Sequence, residues 1–162
     1  MQVIRERMTI PSDLVAEMRK ISPDVPTVIP TPYYRVNRIF APLGEMVWYP
    51  KVLCLAFAMG HGRQSLAFNA IDQSVVQLVI LDEEDVRIWP VNSSLETYAD
   101  SVTRFIEGAP YDEPDLEPDN IKAMINAIDP GLANEGTFWN GIAWDAGNGD
   151  WITEILESED SY

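Results

Sequence analysis

The spacing of hydrophobic positions changes period twice along the chain. Over residues 11–21, Leu14, Val15, Met18 and Ile21 recur at helical spacing. Ser12 or Asp13 can cap the start, so the pattern predicts a first helix. Pro23, Pro26, Pro30 and Pro32 then exclude a regular helix and predict extended chain laid over the surface. From Met46 the signal becomes strand-like. Residues 46–49 are short and aromatic, and residues 52–59 run apolar without interruption, as in a strand covered on both faces. Gly60, His61 and Gly62 break that run as a turn. Residues 65–69 and 75–81 read as two more strands, joined by Asp72, Gln73 and Ser74. Residues 82–85 form an acidic turn and 86–89 a further strand. Short strands separated by tight turns predict an antiparallel meander.

The helical period then returns. Asn92-Ser93-Ser94-Leu95-Glu96 opens a helix, and Ser93 and Glu96 stand at capping-box spacing. Leu95, Tyr98, Val102, Phe105 and Ile106 supply its apolar face. It stops at Gly108-Ala109-Pro110, and an acidic loop follows over 111–119. Ile121, Met124, Ile125 and Ile128 mark the next helix, which ends at Asp129-Pro130-Gly131. A short helix is expected over 138–144, and a last apolar segment over 152–156. Helix, strands, then helices predict an α+β fold: one domain over 1–162, with a central, largely antiparallel sheet flanked by helices.

A chain of 162 residues, 46% hydrophobic, can bury its own core. Charge alters the picture more, because the formal net charge is -15 and unevenly placed. Residues 1–63 hold eight basic and five acidic residues, whereas residues 64–162 hold three basic and 21 acidic ones. Such a field repels nucleic acid and anionic lipid, so neither is expected as a partner, and it favours a basic protein. The single cysteine, Cys54, cannot form an internal disulfide and sits in an apolar run, as a buried inert thiol would. The first residues lack the apolar core of a secretory signal, and no stretch approaches the roughly 20 apolar residues of a spanning helix. A cytoplasmic protein is the expectation.

Catalytic chemistry is sparse. His61 could join Ser65 and an acid in a triad, but no nucleophile elbow accompanies them, so a polar turn residue is the simpler reading. One histidine and one cysteine fall short of a zinc set. Gly60-His61-Gly62 lacks the ending of a phosphate loop. Asp145-Ala146-Gly147-Asn148-Gly149-Asp150 loosely resembles a calcium loop without its ligand alternation, and reads mainly as a turn. No catalytic residue, metal or cofactor is expected. The candidate partner-binding residues are two acidic clusters: Asp82, Glu83, Glu84 and Asp85, then Asp112, Glu113, Asp115, Glu117 and Asp119. As a docking surface, their charge would speed encounter with a basic protein and set partner choice. The plain alternative is a solvated hairpin tip and a solvated connector. Of the five tryptophans, Trp48, Trp89, Trp139, Trp144 and Trp151, most are expected in the core, and one or two at the surface would anchor an interface.

The order of three short motifs resembles the SUKH superfamily of Smi/Knr-like proteins, and in particular its fourth immunity clade. Residues 52–69, around Gly60-His61-Gly62, resemble the family's glycine-marked central hairpin. Pro90-Val91-Asn92-Ser93-Ser94-Leu95-Glu96 resembles its entry into the helix after the last strand. Ile128-Asp129-Pro130 followed by Phe138-Trp139 resembles its C-terminal segment. The resemblance implies an α+β fold and an immunity protein that neutralises a bacterial polymorphic toxin, such as a nuclease or deaminase, by binding it. Three rivals stand beside this: an adaptor or scaffold of the same fold, a hydrolase built on His61, and a sensor with an apolar ligand pocket.

Overall fold

The computed structural model describes residues 3–34, 39–60 and 64–149. The chain begins with β1 (Ile4–Thr9), α1 (Ser12–Arg19) and β2 (Val28–Tyr33). β1 and β2 pair antiparallel, from Ile4 opposite Tyr33 to Thr9 opposite Val28. The proline-rich segment is therefore a strand and not only a surface strap, with Ile29 and Thr31 fully buried. Pro30 and Pro32 fit because their two-residue spacing turns both missing N–H groups to the edge away from β1. α1 also starts earlier than its polar residues suggest. Pro11 occupies the cap position, its carbonyl accepts from the Val15 N–H at 3.0 Å, and neither Ser12 nor Asp13 caps the helix. Asp13 instead lies in the first turn, where the helix dipole favours its charge.

The central sheet holds β3 (Pro42–Tyr49), β4 (Cys54–Met59), β5 (Gln64–Asn69), β6 (Val75–Ile80) and β7 (Val86–Asn92), in sequence order and antiparallel throughout. The meander is thus present. β4 has buried side chains on both faces, as its unbroken apolar run requires. Leu55 and Phe57 enter the main core, whereas Cys54 and Ala56 join Ala67, Val76 and Leu78 in a second, smaller cluster. His61 and Gly62, the centre of the expected glycine turn, lie outside the described residues.

Three helices follow: α2 (Leu95–Glu107), α3 (Glu117–Ile128) and α4 (Phe138–Gly147). The segment expected over 152–156 lies outside the described residues. α2 buries Tyr98, Ser101, Val102, Phe105 and Ile106. Its capping box is Ser94 with Thr97, one residue later than Ser93 with Glu96. The Ser94 hydroxyl accepts from the Thr97 N–H at 3.1 Å, and the Ser94 N–H donates to Thr97 Oγ1 at 3.2 Å. Ser93 is displaced from the cap because Asp129 holds it. Aromatic rings hold the helices to the core: Phe40, just before β3, stacks on Trp139 with centroids 5.7 Å apart, and Phe57 of β4 meets Tyr98 edge-on at 5.5 Å. Complete burial of a ring such as Phe68 contributes about 2–3 kcal/mol. The architecture is α+β, a five-stranded and a two-stranded antiparallel sheet with four helices packed against them. No helix among the described residues is long and apolar enough to cross a membrane.

Candidate functional site

The two acidic clusters occupy different elements. Asp82, Glu83, Glu84 and Asp85 make the β6–β7 hairpin tip. Asp82 shapes it: its Oδ1 accepts from the Glu84 N–H at 2.7 Å and the Asp85 N–H at 2.8 Å. These two backbone bonds hold the Asp82 carboxyl below its ordinary range, so it keeps its charge in mild acid. Arg87 Nε stands 3.7 Å from Asp85 Oδ1, an exposed pair of small energetic weight. Lys51 Nζ reaches the tip from the β3–β4 turn and donates to the Glu83 carbonyl oxygen at 2.8 Å. Tip charge is therefore tempered by two cations, which the residue list alone does not show.

That lysine contact has a structural meaning. In the meander the β3–β4 turn and the β6–β7 turn lie at opposite ends of their strands. Their approach requires the sheet to curl across the face that carries the smaller cluster. Register irregularities in β3–β4, β4–β5 and β6–β7 supply local twist of the kind bulges introduce. Between the two turns lies a cavity of about 350 Å³, walled by Tyr49, Pro50, Val52, Ile80 and Val86. Lys51, Asp82 and Glu83 complete its lining. Tyr49, Val52 and Val86 also pack on the Cys54, Ala56 and Ala67 cluster, which gives these walls a fixed base.

The second cluster does not form one loop. Asp112, Glu113 and Asp115 precede α3, but Glu117 and Asp119 lie inside its first turn. Pro118 in that turn starts the helix earlier than an acidic loop over 111–119 would allow, and the helix N-terminus favours both carboxylates. Glu117 is half-buried, and its carboxyl is raised above the ordinary value, first by burial and then by the charges of Glu113 and Asp112. Among the described residues, no hydrogen bond or ion pair joins the two clusters.

The motif residues, by contrast, meet in space. Asp129, only 5% exposed, links the start of α2 to the end of α3. Its Oδ2 accepts from the Ser93 N–H at 2.7 Å, Thr97 Oγ1 at 2.9 Å and Asn92 Nδ2 at 3.0 Å. Its Oδ1 accepts from Ser93 Oγ at 2.9 Å. Asn92 Nδ2 also donates to Ser101 Oγ, and Asn92 Oδ1 accepts from Trp139 Nε1, both at 3.0 Å. Burial opposes the Asp129 charge, yet these hydrogen bonds outweigh it and hold the carboxyl below its ordinary value. With its oxygens engaged, this network reads as a clasp rather than a reaction centre. The segments 92–97, 128–130 and 138–139, separate in sequence, meet around the buried side chains of Asn92, Asp129 and Trp139.

The remaining candidates sort as follows. Asp145, Ala146 and Gly147 end α4, so the expected turn is confined to Asn148 and Gly149, while Asp150 lies outside the described residues. No group of three or more metal-ligating side chains occurs among the described residues. Cys54 is buried, and burial, with the nearby charge of Asp72, pushes its thiol up to about 12. Trp139 is fully buried and Trp48 packs on the core, whereas Trp89 (39% exposed) and Trp144 (57% exposed) face solvent. Lys122 Nζ sits 5.1 Å from the Trp144 ring centroid, beside a polar cleft between α3 and α4. Trp151 lies outside the described residues. No family model, curated protein or solved structure matches this chain.

Proposed function

We propose that the protein is an immunity protein that binds a cognate basic toxin and neutralises it by occupying its working surface. The observation that supports this is the state of the nine candidate carboxylates. They stand in two largely solvent-facing groups, and among the described residues only Asp85 has an ion-pair partner within the chain. Charges left unpaired by the fold are free to meet a partner's lysines and arginines, where they speed encounter and select the partner. A nuclease fits as such a toxin, because its substrate cleft must hold phosphates and is therefore basic. The choice of toxin neutralisation over simple scaffolding comes from the motif order and not from charge.

The test is co-expression with the toxin encoded beside this gene, followed by calorimetric titration at low and high salt. Two charge-reversed forms are compared, Glu83→Lys with Glu84→Lys, and Asp112→Lys with Glu113→Lys. Protection of growth is expected from the wild type. At least one reversal should weaken binding by about tenfold or more and flatten its salt dependence. Unchanged affinity and salt dependence in both forms overturns the acidic-surface mechanism. Tight binding without protection would identify an adaptor instead.

A further inference from the structure

The apolar cavity beside the hairpin tip has lining chemistry that the acidic-surface reading does not use. Tyr49, Val52, Ile80 and Val86 form greasy walls, and Asp82, Glu83 and Lys51 are the charged residues that line it. Lys51 is engaged by a backbone carbonyl and not by a carboxylate. The carboxylates of Asp82 and Glu83 therefore have no cationic partner among the described residues. A volume of about 350 Å³ exceeds what one long side chain needs and leaves room for its flanking backbone. An apolar cavity with two unpaired carboxylates in its lining complements one type of protein side chain: a long aliphatic stem with a cationic head.

We propose that this cavity receives an arginine side chain of the basic partner, with its stem along Tyr49, Val52, Ile80 and Val86 and its guanidinium on Asp82 and Glu83. This rests on the proposed docking of a basic protein and names the anchor within it. Arginine suits this lining better than lysine, because its planar fork can engage carboxylates in pairs and its face can lie on the Tyr49 ring. Asp82 Oδ1 is committed to the turn, so its other oxygen and the Glu83 carboxylate supply the acceptors. Buried arginines are frequent anchors of protein interfaces.

The probe is a capped Gly-Arg-Gly peptide, titrated into the full chain while backbone amide resonances are followed by NMR. Peptides with citrulline or norleucine in place of arginine serve as controls. The arginine peptide should shift residues 49–52 and 80–86 and bind about tenfold tighter than the citrulline peptide. The Asp82→Asn, Glu83→Gln double variant keeps an acceptor for the turn and should remove that preference. Equal binding of norleucine, shifts centred on residues 112–119, or no shift at the cavity would each overturn the assignment. The toxin titrations separate this outcome from failure of the docking reading. Loss of toxin affinity only on reversal at 112 and 113 rejects the cavity alone, whereas insensitivity to both reversals rejects docking through acidic surfaces.

Discussion

Removing the Asp129 carboxylate should test the clasp directly, and two substitutions give opposite expectations of severity. In Asp129→Ala one N–H of the Asn92 amide loses its acceptor in a buried site, and the Ser93 N–H and hydroxyl lose theirs in a part-buried one. Thr97 Oγ1 is less affected, since the Ser94 carbonyl lies 3.2 Å away. A stranded donor costs about 1–3 kcal/mol where water cannot replace its acceptor, and solvent access at Ser93 brings the expected total to about 2–4 kcal/mol. Asp129→Asn is milder. Its carbonyl can take the Oδ2 position, and its NH2 can donate to Ser93 Oγ with the hydroxyl reversed. Only charge assistance is lost, about 1–2 kcal/mol. Urea unfolding followed by circular dichroism and tryptophan fluorescence measures both. A loss below about 1 kcal/mol for Asp129→Ala, or equal losses for the two variants, would refute the reasoning. The pH dependence adds a signature. Because the folded carboxyl lies below its ordinary value, the unfolded chain takes up the proton first as acid is added. Wild-type stability from this group is complete at neutral pH and falls as pH drops through the ordinary carboxylate value towards the lowered folded one. Both variants should lose that part of the acid sensitivity.

Further expectations follow from other sites. Cys54, buried and with a thiol pKa of about 12, should resist a thiol reagent at pH 8 until denaturant is added; prompt labelling of the native protein would contradict its burial. Ser94→Ala should cost about 1 kcal/mol by denaturant unfolding, because Ser94 and not Ser93 caps α2. Gly147→Ala should destabilise by about 1–3 kcal/mol, since a Cβ there would stand 2.7 Å from Pro118 Cγ at the α3–α4 contact. Trp144→Ala, despite its size, should cost no more than about 1–2 kcal/mol, because the residue is 57% exposed and its covered part meets chiefly Lys122.

Where local pattern decides the structure, the sequence was a reliable guide. The β3–β7 meander follows from short apolar runs separated by tight turns, and the apolar stripe of α2 is present almost residue for residue. β1 escaped notice because Ile-Arg-Glu-Arg-Met-Thr carries little strand propensity and is fixed by pairing with β2. The helix caps slipped by a residue because Ser93 and Ser94 are locally equivalent. Asp129, which captures one of them, is 36 residues away. The same distance problem hides the site. Acidic residues are countable in sequence, but a cavity between turns at opposite ends of a curled sheet depends on three-dimensional curvature, as does the lysine that tempers the hairpin tip.

The sequential order of the five-stranded sheet also bears on how the chain is made. Every ladder in it joins chain neighbours, so the whole sheet can close once residue 92 has left the ribosome. At that moment Phe57 has no Tyr98 ring against it, because α2 is still inside the ribosome and Trp139 is not yet synthesised. A nascent sheet with one bare aromatic face is a substrate for chaperones and for aggregation. The closing step is the arrival of α4, when Trp139 reaches back to Asn92 at the end of the last strand. Truncation before residue 138 should therefore yield a chain with its strands in order but with Phe40 and Phe105 stripped of their Trp139 partner.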